Sequence, residues 1–257
     1  MSTPASGAIS FSQIRSEYMT TSGSMNVYNN ISGKGRRSGL YYNVNIPKTN
    51  LILCYNGANP QSNPGSGTTI NDVSGNGQTG TMQAGAVLNA SGITLSGTTS
   101  YVTTPGWSQG SSVTIIAFVN QTALVQKAPI MSFASTFDWN FFAPGSRISA
   151  TNPLMFWSRS SATWYTDGTT NSMNVNAMYG WSLSGSTLKF YRNGVLTSTQ
   201  TIAGSVLSAS SNNIGRSSTN GTEIFQGNIY NLLTWTRTLS DAEVTAVFNA
   251  YRSKFGL

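Results

Sequence analysis

From residue 51 onward the chain alternates between apolar and polar positions in short runs, with glycine, asparagine and serine between the runs. Alternation of this kind marks strands with one face on a core and one on solvent. Residues 51–55 (LILCY) form the first predicted strand, and 101–104 (YVTT) a short one. Residues 112–120 (SVTIIAFVN) are dense in β-branched side chains and predict a central strand. Further strands are predicted at 129–135, at 154–157 just after Pro153, at 178–184 and at 227–235. Residues 187–200 (TLKFYRNGVLTSTQ) predict a hairpin, because Asn193-Gly194 suits a turn in which both central residues take positive φ.

The period changes to a helical one at each end. Near the C-terminus Ser240 and Glu243 stand at the spacing of a capping box, and Leu239 and Val244 occupy the two places of a hydrophobic staple. Val244, Val247, Phe248 and Tyr251 then form one apolar face, so a helix is expected here, closing an end or edge of a β-sandwich. Near the N-terminus Ser10-Phe11-Ser12-Gln13 has the same capping form, and Phe11, Ile14 and Tyr18 follow at i, i+3 and i+7. One short amphipathic helix is expected there. The stretch after it, TTSGSMNVYNNISGKGRRSG, has no period and no apolar face, and reads as an extended peptide in need of a partner. The chain thus divides into an extended arm over 1–48 and an all-β domain over 49–257.

Composition narrows the function. Charged residues are only 8% of the chain, yet aromatics are 11%, which is enough to bury a core and argues against disorder. The net charge of +7 is uneven: residues 1–48 hold Arg15, Lys34, Arg36, Arg37 and Lys48 against Glu17 alone. The rest of the chain has scattered single charges and no basic face, so nucleic acid is not an expected partner. No apolar run approaches the length of a membrane span. The start, MSTPASGAIS, lacks the basic and apolar regions of a signal peptide, so synthesis in a cytoplasm without secretion is expected. Cys54, the single cysteine, lies in an apolar run and reads as a small core residue.

The residue inventory argues against catalysis. The seven acids are Glu17, Asp72, Asp138, Asp167, Glu223, Asp241 and Glu243, and there is no histidine. Glycoside hydrolysis needs two carboxyls facing one bond. The nearest pair, Asp241 and Glu243, belongs to a helix start, where acids complement the dipole. The run NDVSGNGQTGTM, residues 71–82, raises a separate question. It lacks the Lys-Ser/Thr ending of a phosphate loop. Calcium near Asp72 would find hard oxygen ligands in backbone carbonyls and asparagines, but one carboxylate is few and a glycine-rich asparagine turn needs no ion. No cofactor and no metal are expected, and the turn reading is preferred.

Binding is the remaining chemistry. Trp181 and Trp235 sit in strand runs and read as core. Trp139, Trp157 and Trp164 lie among asparagine, serine and arginine in FDWNFF and MFWSRSSATWYTDG. Flat rings with a polar rim suit the C–H faces of sugars. Trp157, Arg159, Trp164, Tyr165 and Asp167 are therefore the candidate carbohydrate-binding residues. The alternative is that these aromatics fill a second sheet face.

Four motifs in order resemble the laminin-G-like, concanavalin-A-like jelly rolls. They are the acidic glycine turn of residues 72–80, the stretch from Gly97 to Tyr101-Val102, the Tyr191-Arg192-Asn193-Gly194-Val195 hairpin, and Gly227-Asn228-Ile229 running into Arg237-Thr238-Leu239-Ser240-Asp241-Ala242-Glu243. The resemblance implies a two-sheet antiparallel jelly-roll sandwich over residues 50–257, in a family of lectins and glycosidases. The E-x-D-x-x-E strand of the family's glucanases is absent. The arm carries a second resemblance: ASGAISFSQIRSEY is similar to the N-terminus of many tailed-bacteriophage virion proteins. That implies a multicopy structural protein of the virion, decorating the capsid or forming part of a tail fibre. Phe11, Ile14, Tyr18, Lys34, Arg36 and Arg37 would then attach it to other virion proteins, and the lectin-like domain would face host glycans. The alternatives from other classes are a free lectin and a glycan hydrolase, and the arm's alternative is a helix folded onto its own domain.

Overall fold

The computed structural model describes residues 46–110, 112–123, 128–134, 139–144, 153–158, 163–170, 172–203, 207–208, 211–217 and 223–257. The expected N-terminal helix and Lys34, Arg36 and Arg37 lie outside these. The chain divides into two units, Met1–Tyr42 and Asn43–Leu257.

The second unit is built of strands. In chain order they are β1 (Leu51–Asn56), β2 (Thr69–Ile70), β3 (Gly80–Gln83), β4 (Val87–Asn89), β5 (Gly92–Ser96) and β6 (Tyr101–Pro105). Then come β7 (Ser108–Gly110), β8 (Ser112–Gln121), β9 (Met131–Ala134), β10 (Trp139–Pro144), β11 (Leu154–Ser158) and β12 (Thr163–Thr166). The last are β13 (Asn176–Ser184), β14 (Thr187–Arg192), β15 (Val195–Thr201), β16 (Leu207–Ser208), β17 (Ser211–Ile214) and β18 (Gln226–Trp235). One helix, α1 (Asp241–Tyr251), follows, with a 3-10 turn at Arg252–Phe255.

The first sheet runs β15-β14-β13-β8-β18-β5-β4, with β1 also on β18. The second runs β12-β11-β10-β9-β17-β6-β3-β2, and β7 pairs β16 apart from both. Every described pairing is antiparallel. The architecture is the all-β sandwich expected from the alternation. Between the sheets lies one apolar core, to which the first sheet gives Leu53, Tyr55, Ile115, Trp181 and Phe190 and the second gives Val102, Met131, Phe133, Phe156 and Ile214.

β8 shows why its sequence is a continuous apolar run. Val113, Ile115, Ala117 and Val119 face the core. Ile116 and Phe118 face the other way and are equally buried. The helix and its 3-10 turn cover Phe118: Tyr251 and Phe255 pack on it with ring centroids 5.5 and 5.1 Å away. A strand buried on both faces loses the alternation. The helix lies over this outer face of the first sheet, rather than closing an end or edge as the sequence suggested. Its capping box forms as expected. Asp241 accepts from Lys189 Nζ and Tyr191 Oη of β14, each at 2.8 Å, and Thr245 Oγ1 donates to the Gly194 carbonyl. That carbonyl belongs to the predicted hairpin turn, where Asn193 and Gly194 have φ of 48° and 79°.

The sandwich begins upstream of residue 49. Ile46 is buried, the Pro47 carbonyl accepts from Trp235 Nε1 at 2.8 Å, and the Thr49 carbonyl accepts from Arg237 Nε.

The glycine-rich run at residues 71–82 is organised by Asp72. Its Oδ1 accepts from the Cys54 and Ser74 amides, both at 2.9 Å, and its Oδ2 accepts from Ser74 Oγ at 2.6 Å and the Gln78 amide at 3.1 Å. Asn76 Nδ2 donates to the Leu51 carbonyl and Tyr55 Oη to the Gln78 carbonyl, tying the loop to β1. Gly80 is needed for close approach, since a Cβ there would sit 2.7 Å from Tyr55 Oη and 2.8 Å from Val102. A carboxylate ringed by four donors faces their positive ends, an environment that repels a cation. Asp72→Ala is expected to cost about 3 kcal/mol of unfolding free energy by denaturant titration, because charge-assisted bonds are lost. Added calcium is expected to leave the melting temperature of the wild type unchanged.

A pH dependence follows from the helix start. The Arg237 guanidinium bonds Glu243 through Nη2 and Nη1, and this holds the Glu243 carboxyl at about 2, below its ordinary 4.5. A lowered carboxyl pKa stabilises the fold above the unfolded value, and that contribution is lost as pH falls through the folded one. The melting temperature should therefore drop as pH falls from about 4.5 to about 2, and Glu243→Gln should flatten that drop in melts followed by circular dichroism.

Candidate functional site

The second sheet ends in β10, β11 and β12, and their register sets which residues share a face. Phe141 pairs with Trp157, and Trp157 with Trp164, so these three positions form one backbone rung across three strands. The next pair, Phe156 and Tyr165, belongs to the core face. Phe156 is wholly buried in the core, with Tyr165 stacked on it at 6.4 Å and 30°. Because successive strand residues alternate in direction, Trp164, beside the core-facing Tyr165, is on the face away from the core. Met155, between the core residues Leu154 and Phe156, is on that face too and is buried, while Trp164 is half-buried.

Just beyond β12 stands Asp167, whose side chain has no exposed surface. Its Oδ2 accepts from Arg192 Nε at 2.5 Å and from Thr197 Oγ1 at 3.2 Å. Its Oδ1 accepts from Arg192 Nη2 and from the Leu154 amide, both at 3.0 Å. Arg192 ends β14 and Thr197 is in β15, both of the first sheet, whereas Leu154 begins β11 of the second. The carboxylate therefore clamps one sheet to the other at the edge that carries the aromatic rung.

The expected sugar-binding residues thus separate. Trp157 and Trp164 stand opposite each other in the register of β11 and β12, and the Trp157 side chain lies outside what the structure describes. Tyr165 is on the opposite face, against the core. Asp167 is a buried ion-pair partner rather than a group presented to a ligand. Arg159 lies outside the described residues.

Four of the acids are held by their own chain. Asp72, Asp167, Asp241 and Glu243 all accept bonds from donors of their own chain. Lys189 and Tyr191 hold Asp241 below the usual carboxylate range. Burial, reinforced by the Asp72 charge, pushes the Cys54 thiol up and keeps it protonated. Among the described residues no three His, Cys, Asp or Glu side chains gather as a metal site, and no helix is long and apolar enough to cross a membrane.

A family model, described as the concanavalin A-like lectin/glucanases superfamily, matches residues 96–245. The chain belongs to that superfamily. Its match spans the whole edge from β10 to β12, the Asp167 clamp and the start of the helix. Among curated proteins, none matches this chain in sequence. Among solved structures, one similar fold is domain 4 of AbnA, a GH43 extracellular arabinanase from Geobacillus stearothermophilus, in complex with arabinotriose. It is 20% identical with a TM-score of 0.59, covering 77% of this chain and 98% of that one. A botulinum neurotoxin type C structure, whose cell entry depends on two ganglioside molecules, is 13% identical with a TM-score of 0.58. It covers 78% of this chain and 51% of that one. A Trypanosoma rangeli sialidase in complex with sialic acid is 14% identical with a TM-score of 0.58, covering 82% of this chain and 34% of that one. This superfamily member therefore spans about half of the toxin chain and a third of the sialidase chain.

Removing the clamp should expose its structural role. Asp167→Ala leaves a largely buried arginine without its counter-ion, and breaking such a pair costs about 3–5 kcal/mol. Denaturant unfolding should show a loss of that size.

Proposed function

We propose that this superfamily member is a non-enzymatic carbohydrate-binding protein that works as a structural component of a tailed-phage virion, decorating the capsid or forming part of a tail fibre. The observation that carries the binding half is Trp164, half-buried on the face of β12 away from the core. An indole ring there gives an apolar surface on which a saccharide's C–H face stacks. Similar folds bound to arabinotriose and sialic acid, and one tied to gangliosides, support saccharides as the ligand class. The engagement of the carboxylates by their own chain supports binding without turnover.

The virion half rests on the arm. Phe11, Ile14 and Tyr18 make a stripe too small to order an arm of this length alone, since each ordered residue costs about 1–2 kcal/mol. Other virion proteins supply the rest of the surface, and Lys34, Arg36 and Arg37 meet an acidic part of it. The particle presents several copies, which multiplies weak glycan contacts.

Two measurements test this reading. On a glycan array the full chain should bind a saccharide, and Trp164→Ala should weaken that binding by about tenfold with an unchanged melt, because each 1.4 kcal/mol of lost stacking is a factor of ten. A chain lacking residues 1–42 should melt cooperatively and fail to sediment with particles, while the full chain should sediment with them less as salt is raised. Glycan binding by a chain absent from purified particles would instead make it a free lectin, and turnover of a bound glycan would make it a hydrolase.

A further inference from the structure

The outer face of the first sheet carries a second polar site, far in topology from the aromatic rung and not used by the reading above. Register places Asn176, Asn120, Asn228 and Thr94 in one rung across β13, β8, β18 and β5. Their side chains are chained together. Asn176 Nδ2 donates to the Phe255 carbonyl at 2.6 Å, which fixes the orientation of that amide. Asn176 Oδ1 then accepts from Asn120 Nδ2 at 2.9 Å and from Tyr230 Oη at 3.0 Å. At the other end Thr94 Oγ1 donates to Asn228 Oδ1 at 2.7 Å.

This order leaves one group over. With Asn120 Nδ2 directed at Asn176, Asn120 Oδ1 is buried and has no donor among the described residues. A buried amide oxygen without a partner is costly, and it calls for a hydroxyl or a water.

Beside it, Asn176 and Tyr230 of the same network line a cleft of about 270 Å³. It is lined by Ala58, the β4–β5 turn residues Ala90 and Ser91, Asn176, Tyr230 and the C-terminal residues 254–256. Tyr230 and Phe255 lie parallel at 5.4 Å and 11°, so ring surface and amides meet in one place. Lys254 is the only charged residue of the lining. Its ammonium has a cation–π contact with Tyr251 at 5.5 Å and no carboxylate partner among the described residues.

We infer that this cleft binds a single sugar-acid residue. The Ser91 and Tyr230 hydroxyls and the Asn176 amide suit a polyol. The stacked rings suit its C–H face, and an unopposed lysine suits a carboxylate. The volume lies just below the usual range for small-molecule sites, about 300–1,000 Å³, which favours one ring over a chain. The site selects acidic sugars over neutral ones because the charge is on the lining and not in the rung.

The test uses the full chain labelled with nitrogen-15 and follows the side-chain amides of Asn120 and Asn176 by NMR. Glucuronate is expected to shift both to saturation, and glucose to shift them at least about tenfold more weakly, since a charge-assisted bond is lost. Methyl glucuronide, the form that a glycan end presents, is expected to bind as glucuronate does. If only the free acid binds, the site takes free sugar acids. Lys254→Glu and Ala90→Trp change exposed positions and should each abolish the shift without lowering the melt. Trp164→Ala should leave it intact, which separates this site from the aromatic rung. No saturable shift, equal binding of glucose, or a shift that survives Ala90→Trp would overturn the inference.

Discussion

The bidentate pair between Asp167 and Arg192 joins the two sheets at the edge where the aromatic rung sits. β12 is the last strand of its sheet, and an edge strand has one neighbour to hold it. Without a second constraint its register against β11 would be free to slip, and a slip of one residue would send Trp164 to the core face and Tyr165 outward. The clamp supplies that constraint from the other sheet. It bonds the Leu154 amide at the start of β11 and Arg192 at the end of β14 through one carboxylate. A bidentate guanidinium also fixes direction, which a lysine in that place would not.

The same use of acids recurs across the fold. Asp72 organises a turn, Asp241 ties the helix to β14, and Glu243 holds the helix start to Arg237. A chain with so few charges has assigned these carboxylates to structure.

The parts of the fold legible in the sequence were those fixed by local chemistry. The capping box at Ser240 and Glu243 and the Asn193-Gly194 turn depend on neighbouring residues alone, and both formed as read. β8 was placed centrally because its β-branched density has a simple cause. The short strands β2 to β5, β16 and β17 left no such mark, since runs of two to five residues give alternation little length to show. The helix was found but misplaced, because its docking depends on Phe118 and Gly194, far off in the chain. At the candidate site the tryptophans were visible as residue types, but strand pairing decides which of them share a face. Asp167 read as a sugar ligand because its partner Arg192 lies 25 residues away. The cleft beside Tyr230 had no signal at all, as β4, β13, β18 and the C-terminus meet there only in the fold.

The central claim is that Trp164, on the outward face of β12, meets a saccharide. Following the indole N–H signals of all six tryptophans by NMR, while titrating with the oligosaccharide that binds best, tests it most directly. The Trp164 signal should move and saturate, while those of the buried Trp181 and Trp235 stay fixed. A saccharide that binds without moving Trp164 would contradict the claim.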